Sequence, residues 1–152
     1  MIYKVSILFL LFMIYSILGW LMEITYVSFC EKRFTYNRGV LIGPYCPIYG
    51  IGVITIILFL NKYYEDAFVL FIMATIVCSI IEYITSYLLE KVYNARWWDY
   101  SKKRYHINGR ICLSNALAFG VASLVVMYVI HPFIINFLYT FNSNIIIIIS
   151  SY

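Results

Sequence analysis

The chain has 152 residues and a net charge of +4, and it is 64% hydrophobic but only 12% charged, with a mean hydropathy of +0.87. A soluble domain of this size could not bury so much apolar surface, and no basic, aromatic-studded soluble domain for nucleic acid is present. Runs of about 18 or more apolar residues read as transmembrane helices, so the expected fold is all-α: a polytopic integral membrane protein of four to five transmembrane helices forming a single membrane domain.

The first predicted span covers 5–29 and holds Gly19, Trp20 and Glu23. It is too long for a signal-peptide core and lacks a small-residue cleavage site, so it reads as a retained span. The loop behind it carries Lys32, Arg33 and the triplet Asn37-Arg38-Gly39. Next comes Gly43-Pro44-Tyr45-Cys46-Pro47-Ile48-Tyr49-Gly50-Ile51-Gly52, which leads into a second span at 44–60. Pro47 suits the first turn of a helix, where its missing donor costs nothing. Gly43 and Pro44 favour a turn just before it. Gly50 and Gly52, either side of Ile51 and close behind Tyr49, let a neighbouring helix approach. This segment is either a closely packed helix start or, with Arg38 near free amides, a receptor for an anionic group.

The third span, 67–89, follows a short link containing Lys62, Glu65 and Asp66, and it holds Glu82. After it lies the longest loop, with Glu90, Lys91, Arg96, the run Trp97-Trp98-Asp99-Tyr100, then Lys102, Lys103, Arg104 and Asn108-Gly109-Arg110. Tryptophan and tyrosine prefer the membrane–water boundary. Trp97, Trp98, Asp99 and Tyr100 among basic residues therefore read as an interfacial anchor, or else as a docking surface for a partner subunit. A fourth span covers 112–130; a fifth candidate, 133–149, is interrupted by Asn136, Asn142, Ser143 and Asn144 and separated from the fourth only by His131 and Pro132.

Basic residues crowd the loops after the first and third spans, and the other side holds only Lys4 and Lys62. Positive loops stay cytoplasmic, which places the N-terminus outside and both basic loops inside, where they meet anionic headgroups. Spans one and three would then run the same way, as in parallel repeats. Glu23 and Glu82 stand in matching phrases, each followed eight residues later by Glu-Lys. At 1.5 Å per residue each carboxylate lies roughly 12 Å inside that edge of its helix. A carboxylate in an apolar run is expensive and is a functional-site hypothesis by default.

Arginine pairs with carboxylates in a planar, bidentate way and keeps its charge when desolvated. Each half offers one beside an asparagine: Asn37 with Arg38, and Asn108 with Arg110. Pairing of Glu23 and Glu82 with these arginines, in either combination, would make a structural lock between helices or a polar site for a substrate or coupling ion. Motifs for chemistry are missing. There is no Gly-rich phosphate loop with its lysine, so the chain is not itself an ATP-hydrolysing subunit, and there is no HExxH or GxSxG. His106 and His131 make a poor metal pair, and Cys30, Cys46, Cys78 and Cys112 form no CxxC,. No cofactor, metal or catalytic residue is expected.

The set Gly19-Trp20-x-x-Glu23, Asn37-Arg38-Gly39, Gly43-Pro44-x-Cys46-Pro47-x-Tyr49-Gly50, Glu82, Glu90, Trp97-Trp98-Asp99-Tyr100-Ser101 and Asn108-Gly109-Arg110-Ile111-Cys112-Leu113 resembles the bacterial Putative ABC-transporter type IV family, also called CmpB-like and usually labelled an ABC transporter permease. The resemblance covers roughly 15–120 of the chain. It implies a multi-pass protein of the bacterial cytoplasmic membrane that takes part in transport and relies on a separate ATP-binding subunit. Four or five helices make a thin wall, so a path would call for a homodimer. Two other classes remain open: a proton- or ion-linked small carrier using Glu23 and Glu82, and a non-transporting membrane scaffold. The lipid bilayer is a partner in all three, and nucleic acid in none.

Overall fold

The computed structural model describes residues 2–31 and 44–141, together with Ile146 and Ser150, and the side chains of 26–31 are not among those described. Among the described residues the architecture is all-α apart from one small hairpin. Helix α1 is Ile2–Glu31 and α2 is Pro47–Leu60, followed by a single 3-10 turn, Asn61–Tyr63. Helix α3 is Ala67–Tyr93, and the two-residue strands β1 (His106–Ile107) and β2 (Ile111–Cys112) pair antiparallel. Helix α4, Leu113–Val125, runs through a π turn, Val126–Ile130, into α5, His131–Tyr139.

Among the described residues, three stretches are long and apolar enough to cross a membrane: Ile2–Thr25, Ala67–Tyr93 and Leu113–Tyr139. The helix opened by Pro47 is apolar but shorter. Proline stands at its first position, as expected where no amide partner is needed. The boundaries of α3 have clear local causes. Asp66 caps its start, its Oδ1 accepting from the amides of Phe68 and Val69 at 3.1 Å each. Asn94 ends it in the left-handed conformation, with φ of 53°, a role asparagine fills at helix C-termini.

The sequence predicts a break at His131-Pro132, yet the helix passes through both residues to Tyr139. The π turn explains how. The amide of His131 donates to the carbonyl of Val126, one residue further back than in an α-helix. A widened turn of this kind relieves the clash between a proline ring and the preceding carbonyl while leaving the axis continuous. The part of the predicted fifth span at 142–145 and 147–149 lies outside the described residues.

The chain divides into two compact units, Met1–Ile54 with Ile134–Tyr152, and Thr55–Phe133. Each unit contains the same helix–helix clamp. In the first, the Ser16 hydroxyl donates to the Phe12 carbonyl at 2.7 Å. Gly50 of α2 lies directly on Ser16 and Phe12, where any Cβ would collide with the hydroxyl. In the second, the Thr75 hydroxyl donates to the Phe71 carbonyl at 2.8 Å. Gly120 of α4 lies on Thr75 and Phe71 in the same manner. Phe12, Ser16 and Glu23 have the same spacing as Phe71, Thr75 and Glu82, so the repeat read from the two glutamates extends to the packing of each unit. The core of the second unit gathers Ile56, Leu60, Leu70, Ala74 and Met127.

Candidate functional site

The most developed polar site lies in the second unit, where the loop between α3 and α4 folds back over the end of α3. Its anchor is a tight turn. Asn108 and Gly109 have φ of 53° and 68°, and the amide of Arg110 donates to the carbonyl of Ile107 at 3.0 Å. Two consecutive left-handed residues are the pattern of a type I′ turn, which Asn-Gly favours. The Asn108 amide donates to the Tyr83 hydroxyl at 3.0 Å, tying the turn to α3. The carbonyl of Gly109 accepts from the Tyr100 amide at 2.8 Å. The indole of Trp98 donates to the Arg110 carbonyl at 3.0 Å.

Charge braces the same hairpin. Arg110 donates to Glu90 Oε2 at 2.6 Å, and Arg96 donates to the same oxygen at 3.2 Å. The Arg110 guanidinium also stands 5.7 and 5.4 Å from the ring centres of Tyr83 and Tyr87, within cation–π range. Asp99 accepts from the Ser101 hydroxyl at 2.6 Å and the Ser101 amide at 2.9 Å. These bonds, aided by Arg96, hold the Asp99 carboxyl below its ordinary value.

The expected Glu82–Arg110 pair is therefore not formed: Arg110 engages Glu90. The reason is the helix face. Arg110 lies over Tyr83, Tyr87 and Glu90, which share one face of α3, whereas Glu82, one residue before Tyr83, projects from a different face. Tyr100 reaches Glu82 instead. Its hydroxyl donates to Glu82 Oε1 at 3.1 Å and accepts from the Asn115 amide at 2.6 Å. Lys103 donates to the Asn115 oxygen at 3.1 Å, its ammonium 5.1 Å from the Tyr100 ring centre. A chain of polar groups thus runs from an exposed lysine to a carboxylate that is 4% exposed. Among the described residues, Glu82 Oε2 has no hydrogen-bond partner. An open carboxylate oxygen beside neutral donors can take a proton or a cationic group.

In the first unit, Glu23 Oε2 accepts from the Cys46 thiol at 3.7 Å. Cys46 is positioned by its own amide, which donates to the Ser16 carbonyl at 2.9 Å. Tyr49 covers Gly19, so the glycine before Trp20 serves close packing, as does Gly50 against Ser16 and Phe12. Pro44 forms a bend before the helix. Asn37, Arg38 and Gly43 lie outside the described residues, and so does any pair that Arg38 makes.

Four contributors escaped the sequence reading: Glu90 as the ion partner, Tyr83 and Tyr87 as the cation cage, and Asn115 as the bridge. The first three carried a signal. Tyr83, Tyr87 and Glu90 recur at spacings of four and three, which puts them on one face of a helix. Asn115 carried none, because nothing local links it to Tyr100.

A family profile described as Putative ABC-transporter type IV matches residues 10–152. No curated protein and no solved structure matches the chain.

Proposed function

Because the chain belongs to the Putative ABC-transporter type IV family, we propose that it is a permease-like integral membrane subunit that works with a separate ATP-binding protein, its substrate unassigned. The observation that carries this reading is the braced hairpin. A loop held to α3 by Arg96, Glu90 and Arg110 is stiff enough to transmit a push to the helix that holds Glu82. On that loop Trp97 is 41% exposed, with its ring edge on Tyr93 at 5.2 Å, and serves as the contact for the partner. Trp98 and Asp99 face into the hairpin and support it. In the bacterial cytoplasmic membrane the basic loops would face the cytoplasm and the N-terminus would lie outside, following the bias of lysine and arginine. A second copy of the chain would complete the path.

The test is a mild-detergent pull-down of the tagged chain from its native membrane, with mass spectrometry of what accompanies it. A stoichiometric ATP-binding protein that is lost on Trp97→Ala, with the hairpin intact, is the expected result. Recovery of the chain alone, or an ATP-binding protein indifferent to Trp97, would sink the docking assignment.

A second reading is favoured by one specific feature, the open oxygen of Glu82. An ion-linked carrier would use Glu82, and Glu23 in the other unit, as its coupling groups. Flux driven by a proton gradient without ATP, abolished by Glu82→Gln in a folded protein, distinguishes it. A membrane scaffold would show no flux and no loss of assembly with that variant.

A further inference from the structure

The hairpin that braces Glu90 also forms the lip of two clefts. The amide of Leu113 donates to the carbonyl of Tyr105 at 3.0 Å, which sets Tyr105 beside the first residue of the span Leu113–Tyr139. One cleft, of about 380 Å³, is lined by Lys103, Arg104, Tyr105, Leu113, Ser114 and Leu117. A second, of about 710 Å³, shares Tyr105 and Leu113 and runs down an apolar wall of α3 that includes Ile76, Ile80 and Ile84. The two clefts adjoin at Tyr105 and Leu113, the cations stand on the side of the first, and both are walled mostly by apolar residues.

The charge at that lip is positive. Arg104 stacks on the Tyr105 ring at 5.3 Å, and no carboxylate of the described residues pairs with it. Lys103 is shared with the Glu82 network through Asn115, so at this lip, among the described residues, Arg104 is held only by the Tyr105 ring. Below the lip, Leu117, Val121 and Val125 continue from Leu113 at every fourth position, all exposed. Each step descends roughly 6 Å, giving an apolar track that starts at the cations and runs along the span.

We propose that this lip and its two clefts bind one anionic two-chain phospholipid, with the phosphate held by Arg104 and Lys103, and Ser114 donating to it. One acyl chain would follow Leu113, Leu117 and Val121, and the other the α3 wall beyond Tyr105. Cations above an exposed apolar track match a lipid and not a soluble phosphate, because a soluble anion gains nothing from the floor. Binding here would fix the hairpin against the membrane surface and so bias the position of Tyr100 on Glu82. The proposal does not depend on the identity of any ATP-binding partner.

The full chain, delipidated in detergent, is titrated with phosphatidylglycerol and phosphatidylcholine of identical acyl chains and read by native mass spectrometry. The wild type retains one phosphatidylglycerol in preference to phosphatidylcholine. A basic residue near an anionic headgroup contributes about fivefold in binding, so Arg104→Gln weakens phosphatidylglycerol about fivefold, and Lys103→Gln with Arg104→Gln roughly thirtyfold. Lys62→Gln, which removes a cation elsewhere in the unit, changes nothing. Glycerol phosphate at millimolar concentration leaves the lipid in place. Equal retention of the two lipids, unchanged binding in Arg104→Gln, or displacement by glycerol phosphate each overturns the proposal. Arg104 holds only the exposed Tyr105 ring, so its single variant folds and decides the matter even where the double variant does not.

Discussion

Arg110 donates to Glu90 at 2.6 Å, and that pair ties the hairpin to α3. With Arg110 held over Glu90, Tyr87 and Tyr83, Glu82 receives a tyrosine hydroxyl instead of a guanidinium. The ion pair thus acts as a brace, and the buried carboxylate is left with a neutral donor and an open oxygen.

The brace predicts a local loosening on Arg110→Leu. The amides of Tyr100 and Leu113, which close the hairpin, should exchange with deuterium about tenfold faster or more, the scale of a lost charge-assisted hydrogen bond. Amides in the middle of α3 should keep their rates. Uniform acceleration along the chain would show instead that Arg110 supports the whole unit.

Tyr100→Phe removes the donor to Glu82 and the acceptor for Asn115 together. Leaving buried polar groups unpaired costs about 1–3 kcal/mol, so thermal unfolding in detergent should fall measurably. Tyr105→Phe, at an exposed ring, should leave it unchanged. Equal effects of the two variants would contradict the network.

The matched clamps predict matched costs. Gly50→Ala and Gly120→Ala each drive a methyl into a hydroxyl and a phenyl ring, and overpacking of this kind destabilises by about 1–3 kcal/mol. Gly52 has nothing within 4 Å of the added carbon. Gly52→Ala should therefore be neutral or stabilise by up to about 1 kcal/mol through helix propensity. Denaturation of the three variants side by side gives the comparison.

Gly109→Ala should weaken the turn, because φ is 68° and the new methyl would stand 2.6 Å from Asp99 Oδ1,. Asp99 adds a pH dependence to the same hairpin. Its carboxyl is held below the unfolded value of 3.8, so its contribution is full above that pH and is lost as pH falls through the lower folded value. Trp98 fluorescence followed from pH 5 to pH 2 should report this loosening, and the component due to Asp99 should vanish in Asp99→Asn.

How much of this could be read from the chain depended on the range of the interaction. Pro47 at a helix start and the apolar runs of α1 and α3 are local matters of dihedral preference and solvation, and they stood in the sequence. The two glutamates were also conspicuous, since a carboxylate in an apolar run needs no neighbour to be costly. The break at His131-Pro132 was expected from the same local rules, and the π turn ahead of it kept the helix continuous.

Composition and periodicity alone determined that this is an all-α membrane protein, because burying apolar surface and satisfying the backbone in lipid leave few alternatives. Partner choice belonged to the tertiary structure. Spacing puts Glu90 on one helix face with Tyr83 and Tyr87, but it does not say whether Arg110 goes to Glu90 or to Glu82. The folded loop decides it, by bringing Arg110 to one face of α3 and aiming Tyr100 at another. Distances of a few ångströms across a folded loop select the partner, and no spacing along the chain encodes them.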